Sequence, residues 1–155
     1  MVAGSFVPIG GECRCGRVRF EISSPPIITM ACHCTGCQRM SASAFSLSAA
    51  VASDAFSVKR GDTAIGGLHG PTRHFFCAYC MSWLFTRPDG LEQIVNVRTT
   101  MLDDPSPYPP YIETYTSEKL DWAVTSAARS FEEFPPLESY EELVRAYQAH
   151  VNASA

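Results

Sequence analysis

Short runs of alternating hydrophobic and polar positions, separated by turn residues, make up most of the first hundred residues. The clearest run is Val18-Arg19-Phe20-Glu21-Ile22, which alternates as a half-buried strand does. Ser23-Ser24-Pro25-Pro26 ends it, because proline cannot donate a backbone hydrogen bond to a neighbouring strand. The pattern therefore predicts short β-strands from Gly11 to about Val97.

Further strands are predicted where β-branched and aromatic residues lie between Gly, Pro and Ser. They fall at residues 27–31, 44–51, 55–60, 72–76, 83–86 and 92–97. Residues suited to tight turns separate several of them, at Gly61-Asp62, Gly66-Gly67 and Pro88-Asp89-Gly90.

The last third of the chain has a different pattern. Residues 103–110 are too rich in proline for a helix or a central strand, so we expect an extended surface connection. Apolar residues at helical spacing then predict a C-terminal helix that docks on the core, namely Leu137, Tyr140, Leu143, Val144 and Tyr147. Ser139 is predicted to cap this helix, with Glu142 three residues later. Residues 131–155 would thus be a helical extension packed on a domain formed by residues 1–130.

Length and charge narrow the range of functions. A chain of 155 residues with 46% hydrophobic residues can bury one core of its own. The net charge of -4 argues against a nucleic-acid partner and against an acidic membrane surface, since both require basic patches. The first ten residues carry no basic flank and no long apolar run, and no transmembrane segment is predicted. We expect a soluble cytoplasmic protein, and the sequence is compatible with a homodimer.

Seven cysteines are the strongest chemical signal. They form three local groups, Cys13 with Cys15, Cys32 with Cys34 and Cys37, and Cys77 with Cys80. A disulfide framework is disfavoured, because the count is odd and no secretory signal precedes it. In a reducing compartment, cysteines at such spacings more often bind metal than pair with one another.

The spacings predict two zinc sites per chain. A C-x-C pair in a strand presents both sulfurs on one face, and C-x-x-C brings two together around a tight turn. Cys32, Cys34 and Cys37 combine both devices and can converge on one ion. Four cysteines remain and would close a tetrahedral structural site, which contributes on the order of 10 kcal/mol to folding. These four are Cys13, Cys15, Cys77 and Cys80.

A site with three protein ligands leaves one coordination position open for water or substrate, which is typical of catalytic zinc. His33 is not the expected fourth ligand, because its side chain should point away from the face shared by its two cysteine neighbours. His69, His74 and Asp54 lie in other segments, and spacing does not exclude them. Three thiolates leave zinc with a net charge of about -1, which suits binding a thiol better than activating water. The chemistry indicated is making or breaking a carbon-sulfur bond.

Five motifs extend beyond the cysteines themselves. They are Gly11-Glu12-Cys13-Arg14-Cys15-Gly16-Arg17-Val18-Arg19-Phe20, Cys32-His33-Cys34 with Cys37-Gln38-Arg39, Phe76-Cys77 with Cys80, Asn96-Val97 with Leu102-Asp103-Asp104-Pro105, and Ser117-Glu118-Lys119-Leu120-Asp121-Trp122. With these motifs the sequence resembles a known family, the glutathione-dependent formaldehyde-activating enzymes, which includes the centromere protein V domain. The resemblance implies a mainly β, Mss4-like fold of small antiparallel sheets built around a four-cysteine and a three-cysteine zinc. It also implies a carbon-sulfur lyase that condenses glutathione with formaldehyde.

Three residues depart from the family pattern. Met81 stands where a glycine is expected after the second cysteine of the last pair. Because such turns often need a positive φ, we expect either a different local backbone or strain there. Ala78 and Ala42 replace two further glycines, the second just after the reactive cluster. None of the three substitutions removes a cysteine.

Two classes of function follow. In the first, an enzyme, zinc on Cys32, Cys34 and Cys37 activates a thiol for addition to a small carbonyl compound, and Arg39 binds a substrate carboxylate. The alternative is a non-catalytic zinc module in which both ions are structural and the C-terminal helix or exposed aromatic residues bind another protein. A redox sensor ranks behind both, since oxidation would have to release the metal.

Overall fold

Short β-strands and the turns between them form most of the described chain, which is residues 6–155 of the computed structural model. Of the first ten residues, for which no basic flank and no long apolar run are predicted, residues 1–5 lie outside the described residues. The strands are β1 (Ile9–Glu12), β2 (Arg19–Ile22), β3 (Ile28–Cys32), β4 (Ser46–Ala52), β5 (Phe56–Arg60), β6 (Thr63–Gly66), β7 (Arg73–Cys77), β8 (Trp83–Arg87), β9 (Ile94–Arg98), β10 (Ile112–Thr114) and β11 (Arg129–Ser130). The helices are α1 (Thr35–Ser41) and α2 (Tyr140–Ser154).

The chain divides into two compact units, each made of two separate stretches. The first unit comprises residues 6–26 and 51–105, and the second comprises residues 27–50 and 106–155. Strand β4 begins in the second unit, and its last two residues belong to the first.

The first unit contains two sets of antiparallel strands. One is a three-stranded sheet in the order β1-β2-β5, and the other pairs β6, β7, β8 and β9 in succession. The side chains of β2 alternate between half-buried and buried, as the sequence pattern predicts. Phe56 of β5 lies 5.6 Å from Phe20 and 4.7 Å from Phe85 of β8, measured between ring centroids. This aromatic packing joins the two sets of strands around one core.

The second unit contains both antiparallel and parallel pairs. β3 pairs antiparallel with β4 on one side and parallel with β10 on the other, and β11 adds to β10 in parallel. The register places Thr114 opposite Cys32, so β10 runs beside the strand that carries the first cysteine of the middle group. Helix α2 packs on β3 through its buried face, where the Tyr147 ring lies 5.5 Å from that of Tyr111. The end of β3, where Cys32 lies, is thus paired with a strand on both sides, β4 and β10.

The fold class predicted from the sequence is confirmed, since the described chain is mainly β with antiparallel sheets and a C-terminal helix. The predicted strands correspond to β2, β3, β4, β5, β7, β8 and β9, and residues 103–110 contain neither helix nor strand. Strands β1, β6, β10 and β11 were not predicted as individual strands. The division of the chain near residue 130 stays a prediction.

Two details of the C-terminal helix were predicted wrongly. Ser139 lies in a helical conformation at the end of a single 3-10 turn, and its side chain makes no capping hydrogen bond. A residue with helical backbone angles cannot cap, because an N-cap requires an extended conformation. Leu137 is 82% exposed, so the buried stripe is confined to Leu143 and Tyr147. No helix in the described part of the chain has the length and apolar character needed to cross a bilayer.

Candidate metal centres

Four cysteine sulfurs meet in the first unit. Cys13 and Cys15 follow β1, Cys77 ends β7, and Cys80 lies in the turn before β8. All four Sγ atoms lie within 4.8 Å of one another. The Sγ atoms of Cys13 and Cys15 are 3.4 Å apart, and those of Cys15 and Cys77 are 3.9 Å apart. Because sulfurs at this spacing can share one tetrahedral ion, the cluster could hold a metal.

Backbone N–H groups point at these sulfurs. The amide of Val18 donates to Cys13 Sγ at 3.3 Å, and the amide of Cys80 donates to Cys77 Sγ at 3.5 Å. Burial alone would raise the pKa of Cys13, but the Val18 amide and the neighbouring thiols outweigh it and lower the pKa. For Cys80, burial is likewise outweighed by the hydroxyl and amide of Ser82, which lower its pKa to about 5. For Cys15, the Arg17 amide acts to lower the pKa, but burial and the neighbouring thiols outweigh it and raise the pKa to about 11. The surroundings therefore favour the anionic, metal-binding form at Cys13 and Cys80, while Cys15 keeps its proton until a metal displaces it.

Two arginines hold the loops of this cluster. The guanidinium of Arg17 stacks over the ring of Tyr79 at 3.4 Å from its centroid. Arg60 donates from its guanidinium to the carbonyl oxygen of Gly16 at 2.8 Å. Four thiolates around a divalent ion carry a net charge of about -2, so cations beside the two cysteine loops offset part of that charge.

The expected strain in the last cysteine pair is present. Met81 has a φ of 58°, and Ala42, which ends helix α1, has a φ of 49°. Both residues therefore adopt the left-handed region that glycine occupies without cost. Both departures from the family pattern therefore lie at positions where a residue with a side chain is strained.

Replacing Met81 by glycine should stabilise the protein by roughly 0.5 kcal/mol. Relief of the left-handed strain, about 1 kcal/mol, exceeds the extra chain entropy that glycine loses on folding. Little packing is lost, since Met81 is 57% exposed. The midpoint of urea unfolding measures the change, and Met81→Ala is the matched control. Because alanine keeps the strained Cβ, it should give no gain; an equal gain from alanine would contradict the explanation.

Three cysteine sulfurs meet in the second unit. Cys32 is the last residue of β3, Cys34 is the N-cap of α1, and Cys37 lies in the first turns of that helix. Their Sγ atoms all lie within 4.8 Å of one another. The C-x-x-C spacing predicts a tight turn for Cys34 and Cys37, whereas the structure places them at the start of a helix. The result for the sulfurs is the same, because the Cys37 amide donates to Cys34 Sγ at 3.3 Å.

The three cysteines of this cluster differ in pKa. Thiol donors Cys32 and Cys37, together with the amides of Cys37 and Gly36, outweigh burial and lower the pKa of Cys34 to about 2. The pKa of Cys37 is raised, because its thiol donates to the other two sulfurs. The pKa of Cys32 is also raised, chiefly through its contact with Cys34. The hydroxyls of Thr114 near Cys32 and of Ser46 near Cys37 act to lower these two pKa values but do not outweigh the neighbouring thiols. One thiolate is therefore present at neutral pH, and a metal would displace the remaining protons.

In the described residues 6–155, no histidine or carboxylate joins either group of sulfurs. His33 instead places its Nε2 2.9 Å from a carboxylate oxygen of Glu113, as expected for a residue that faces away from the cysteines. His69 is exposed, Nδ1 of His74 lies 2.9 Å from the hydroxyl of Thr86, and Asp54 lies in a 3-10 turn. None of these three supplies a fourth ligand to the middle cluster.

Glu113 is the residue near the site that sequence reasoning missed. Its buried carboxylate accepts hydrogen bonds from Lys119, Thr125 and Ser130 in addition to contacting His33. Burial acts to raise its pKa, but these four donors lower it to about 2. The stabilisation is thus present above the ordinary glutamate pKa and is lost as the pH falls toward 2. No motif marks Glu113, because the histidine that it meets is 80 residues away.

Arg39 lies in the last turn of α1, two residues beyond Cys37, and its side chain is exposed. Residues two apart on a helix do not share a face, so Arg39 and Cys37 point in different directions. Arg39 would reach a molecule bound at the cluster only because its side chain is long. Its role in substrate binding stays a prediction, as does the assignment of Cys32, Cys34 and Cys37 to catalysis.

The donor chemistry of both clusters fits zinc. Each offers only thiol sulfur, the soft ligand that selects zinc over magnesium or calcium, in one set of four and one set of three. The sets are those predicted from spacing: Cys13, Cys15, Cys77 and Cys80, and Cys32, Cys34 and Cys37. Either set could hold a metal ion.

Comparison with known proteins agrees with this architecture. The family model described as glutathione-dependent formaldehyde-activating enzyme matches residues 8–118. A Halomonas elongata protein named "Putative glutathione-dependent formaldehyde-activating enzyme" is 26% identical over 121 residues, which cover 72% of this chain and 77% of the relative. The crystal structure of a Rhodobacter sphaeroides protein is similar in fold, with a TM-score of 0.51 and 20% identity, over 61% of this chain and 87% of that one. Since the family model covers both groups of cysteines, the chain belongs to the glutathione-dependent formaldehyde-activating enzyme family.

Proposed function

We propose that the protein is a zinc-dependent enzyme of the carbon-sulfur lyase type that adds the thiol of glutathione to formaldehyde. The observation that carries the proposal is the set of three sulfurs in the second unit, which no fourth side chain completes among the described residues. Zinc with three protein ligands keeps a position for substrate. Membership of the family supports the choice of thiol and aldehyde.

The reaction is an addition, and its atoms balance without an oxidant or reductant. The sulfur of glutathione forms a bond to the carbonyl carbon, the π-electron pair of the carbonyl moves to oxygen, and the proton released by the thiol ends on that oxygen. The product is S-hydroxymethylglutathione. Zinc, when bound, supplies stabilisation of a thiolate at neutral pH.

The residues of the chain have distinct tasks in this proposal. Cys32, Cys34 and Cys37 would hold the metal, and no fourth side chain among the described residues would compete with the substrate thiol for it. The hydroxyls of Thr114 and Ser46, which face Cys32 and Cys37, would stabilise the negative charge of these sulfurs when they hold a metal. Arg39 binds a carboxylate of glutathione as an exposed cation beside the cluster. A reducing cytoplasm keeps all seven cysteines available as thiols.

The four-cysteine cluster has a structural task. Its four sulfurs close the zinc shell and leave no position for substrate. It links the loop after β1 to the turn after β7, positions 62 residues apart between Cys15 and Cys77. Closing such a long loop with a metal stabilises the first unit against unfolding.

The test is zinc stoichiometry combined with X-ray absorption at the zinc edge, for the wild type and for Cys34→Ser. We expect two zincs per chain in the wild type and one in the variant. Addition of glutathione should replace an oxygen ligand by sulfur in the wild type only. S-methylglutathione is the matched control, because it has the same carboxylates and no thiol, and it should change nothing.

A spectrum that stays unchanged on addition of glutathione would overturn the proposal. So would a single zinc per wild-type chain. Either result favours the other class of function, a non-catalytic zinc module that binds another protein.

A further inference from the structure

We propose that Glu113 is a positioning residue for the three-cysteine site and that it acts through His33. The two residues form one buried contact, 2.9 Å between Nε2 and a carboxylate oxygen, on the opposite side of the chain from the sulfurs. The inference deepens the proposed function, since it concerns what holds that same site in place. It concerns metal binding first, so it can be tested without turnover.

Along the chain, His33 lies between Cys32 and Cys34, two of the three cysteines of the site. Its relative exposure is 0%, and its ring packs edge-on against Phe45 at 5.3 Å between centroids. In the described part of the chain, its Nδ1 is buried and has no hydrogen-bond partner. The bond to Glu113 is therefore the polar contact that sets the orientation of the ring. Because the ring is attached between Cys32 and Cys34, its position constrains the backbone that carries both sulfurs.

The carboxylate is itself immobilised. Lys119 reaches both of its oxygens at 3.1 Å, Thr125 donates at 2.8 Å, and Ser130 donates at 2.7 Å. A buried carboxylate with this many donors has one favourable arrangement, because every rotation would break a hydrogen bond and leave a charge unpaired. Glu113 is thus a fixed point to which His33 can be tied.

Backbone hydrogen bonds also connect the segment that carries Glu113 to the segment that carries His33. The amide of His33 donates to the carbonyl oxygen of Thr114 at 3.0 Å, and Thr114 pairs with Cys32 in the register of β3 and β10. Gln38 of α1 donates to the carbonyl oxygens of His33 and Glu118, at 2.7 and 3.0 Å. The segment from Glu113 to Glu118 therefore supports the cysteine segment from its start to its helix.

Such support has a measurable effect on metal affinity. Three sulfurs bind an ion tightly only if they are held at the right separation before binding, and loss of an outer hydrogen bond at a metal site typically costs about 10- to 100-fold in affinity. Without the carboxylate, the Nε2–H of His33 would be buried and unpaired, so the ring and the strand that carries it would shift to find a partner.

The test uses Glu113→Gln, which keeps the size of the side chain but removes the charge and replaces one acceptor oxygen by an NH2 donor. The amide cannot accept from His33, Lys119, Thr125 and Ser130 together, so it loses the fixed orientation of the carboxylate. Zinc affinity is measured by competition with a chromophoric chelator, and site geometry by the absorption bands of bound Co²⁺. The weaker of the two sites should lose about 10- to 100-fold in affinity with a change in its Co²⁺ bands. The tighter site should be unaffected. Affinity within twofold of the wild type, with identical Co²⁺ bands, would overturn the proposal.

The matched control is Leu143→Ala, which removes a buried side chain of α2 in the same unit. It should lower thermal stability while leaving the affinity and the Co²⁺ bands unchanged. An equal loss of affinity in this variant would mean that general destabilisation explains the result, and it would overturn the positioning role. If Glu113→Gln does not fold, Thr125→Val replaces it, with a several-fold loss expected and no loss as the contrary result.

Failure of the positioning role and failure of the proposed function are distinguishable. Metal affinity and Co²⁺ bands are measured with the metal alone, whereas the proposed function is tested by added thiol. A wild-type site that ignores glutathione but weakens in Glu113→Gln overturns the function and keeps the positioning role. A wild-type site that binds glutathione, but whose metal affinity does not change in Glu113→Gln, overturns the positioning role and keeps the proposed function.

Discussion

Cys77→Ser should prevent the first unit from folding. Cys77 is 1% exposed, its sulfur accepts a hydrogen bond from the Cys80 amide, and it lies in the cluster of four. A metal held by four cysteines contributes on the order of 10 kcal/mol to folding, whereas whole domains are stable by only about 5–15 kcal/mol. Losing one of four ligands therefore removes most of the available stability. Far-UV circular dichroism and the thermal midpoint measure the loss, together with zinc content.

The matched control for this prediction is Cys34→Ser. It makes the same chemical change in the three-cysteine cluster, whose sulfurs are half-buried and not fully enclosed. This variant should remain folded, with a thermal midpoint lowered by only a few degrees and one zinc lost per chain. If both variants unfold alike, the division into a structural and a reactive cluster is wrong.

Cys37→Ser should reduce the enzymatic rate at least about a thousandfold while the protein stays folded. The three cysteines act as one unit, so removing any one should cost nearly as much as removing all of them. The rate is that of exchange between glutathione, formaldehyde and S-hydroxymethylglutathione, measured by NMR and corrected for the uncatalysed reaction. It should fall to that uncatalysed background.

Met40→Ala serves as the control for Cys37→Ser, because Met40 lies on the same short helix and is not among the sulfurs of the cluster. Its rate should stay within about twofold of the wild type. A folded Cys37→Ser protein that kept more than a tenth of the rate would show that the metal is not required for the chemistry. Rates that fall equally in both variants would point to disruption of helix α1.

The parts of the site that were predictable from sequence are those set by local geometry. Cys32 and Cys34 share a face because they are two residues apart at the end of a strand, and Cys37 completes the set within one turn of chain. The same rule placed His33 on the other side, where the structure has it. Once these three are assigned to one ion, counting leaves the four cysteines of the other cluster, and the structure brings the same four together.

The parts that were not predictable depend on contacts between distant segments. β10 has three residues, follows a proline-rich connection and pairs in parallel with β3 about eighty residues earlier. A strand of three residues is too short to show a recognisable alternation of hydrophobic and polar positions. Glu113 lies in this strand, and nothing in its neighbours along the chain distinguishes it from a surface glutamate. Ser139 was misjudged for a related reason, since it lies in a 3-10 turn that carries it into the helix.

The separation of His33 from Glu113 along the chain also has a consequence for how the protein is made. All three cysteines of the three-cysteine cluster have left the ribosome's active centre once Cys37 is added, but the strand that supports them is synthesised about 80 residues later. At roughly 5–20 residues per second, the growing chain carries these thiols without β10 for about 4–16 s. During that interval the thiols are open to oxidation and to mispairing with the cysteines that follow. Early capture of zinc by the newly made cysteine segment would protect them until the carboxylate arrives.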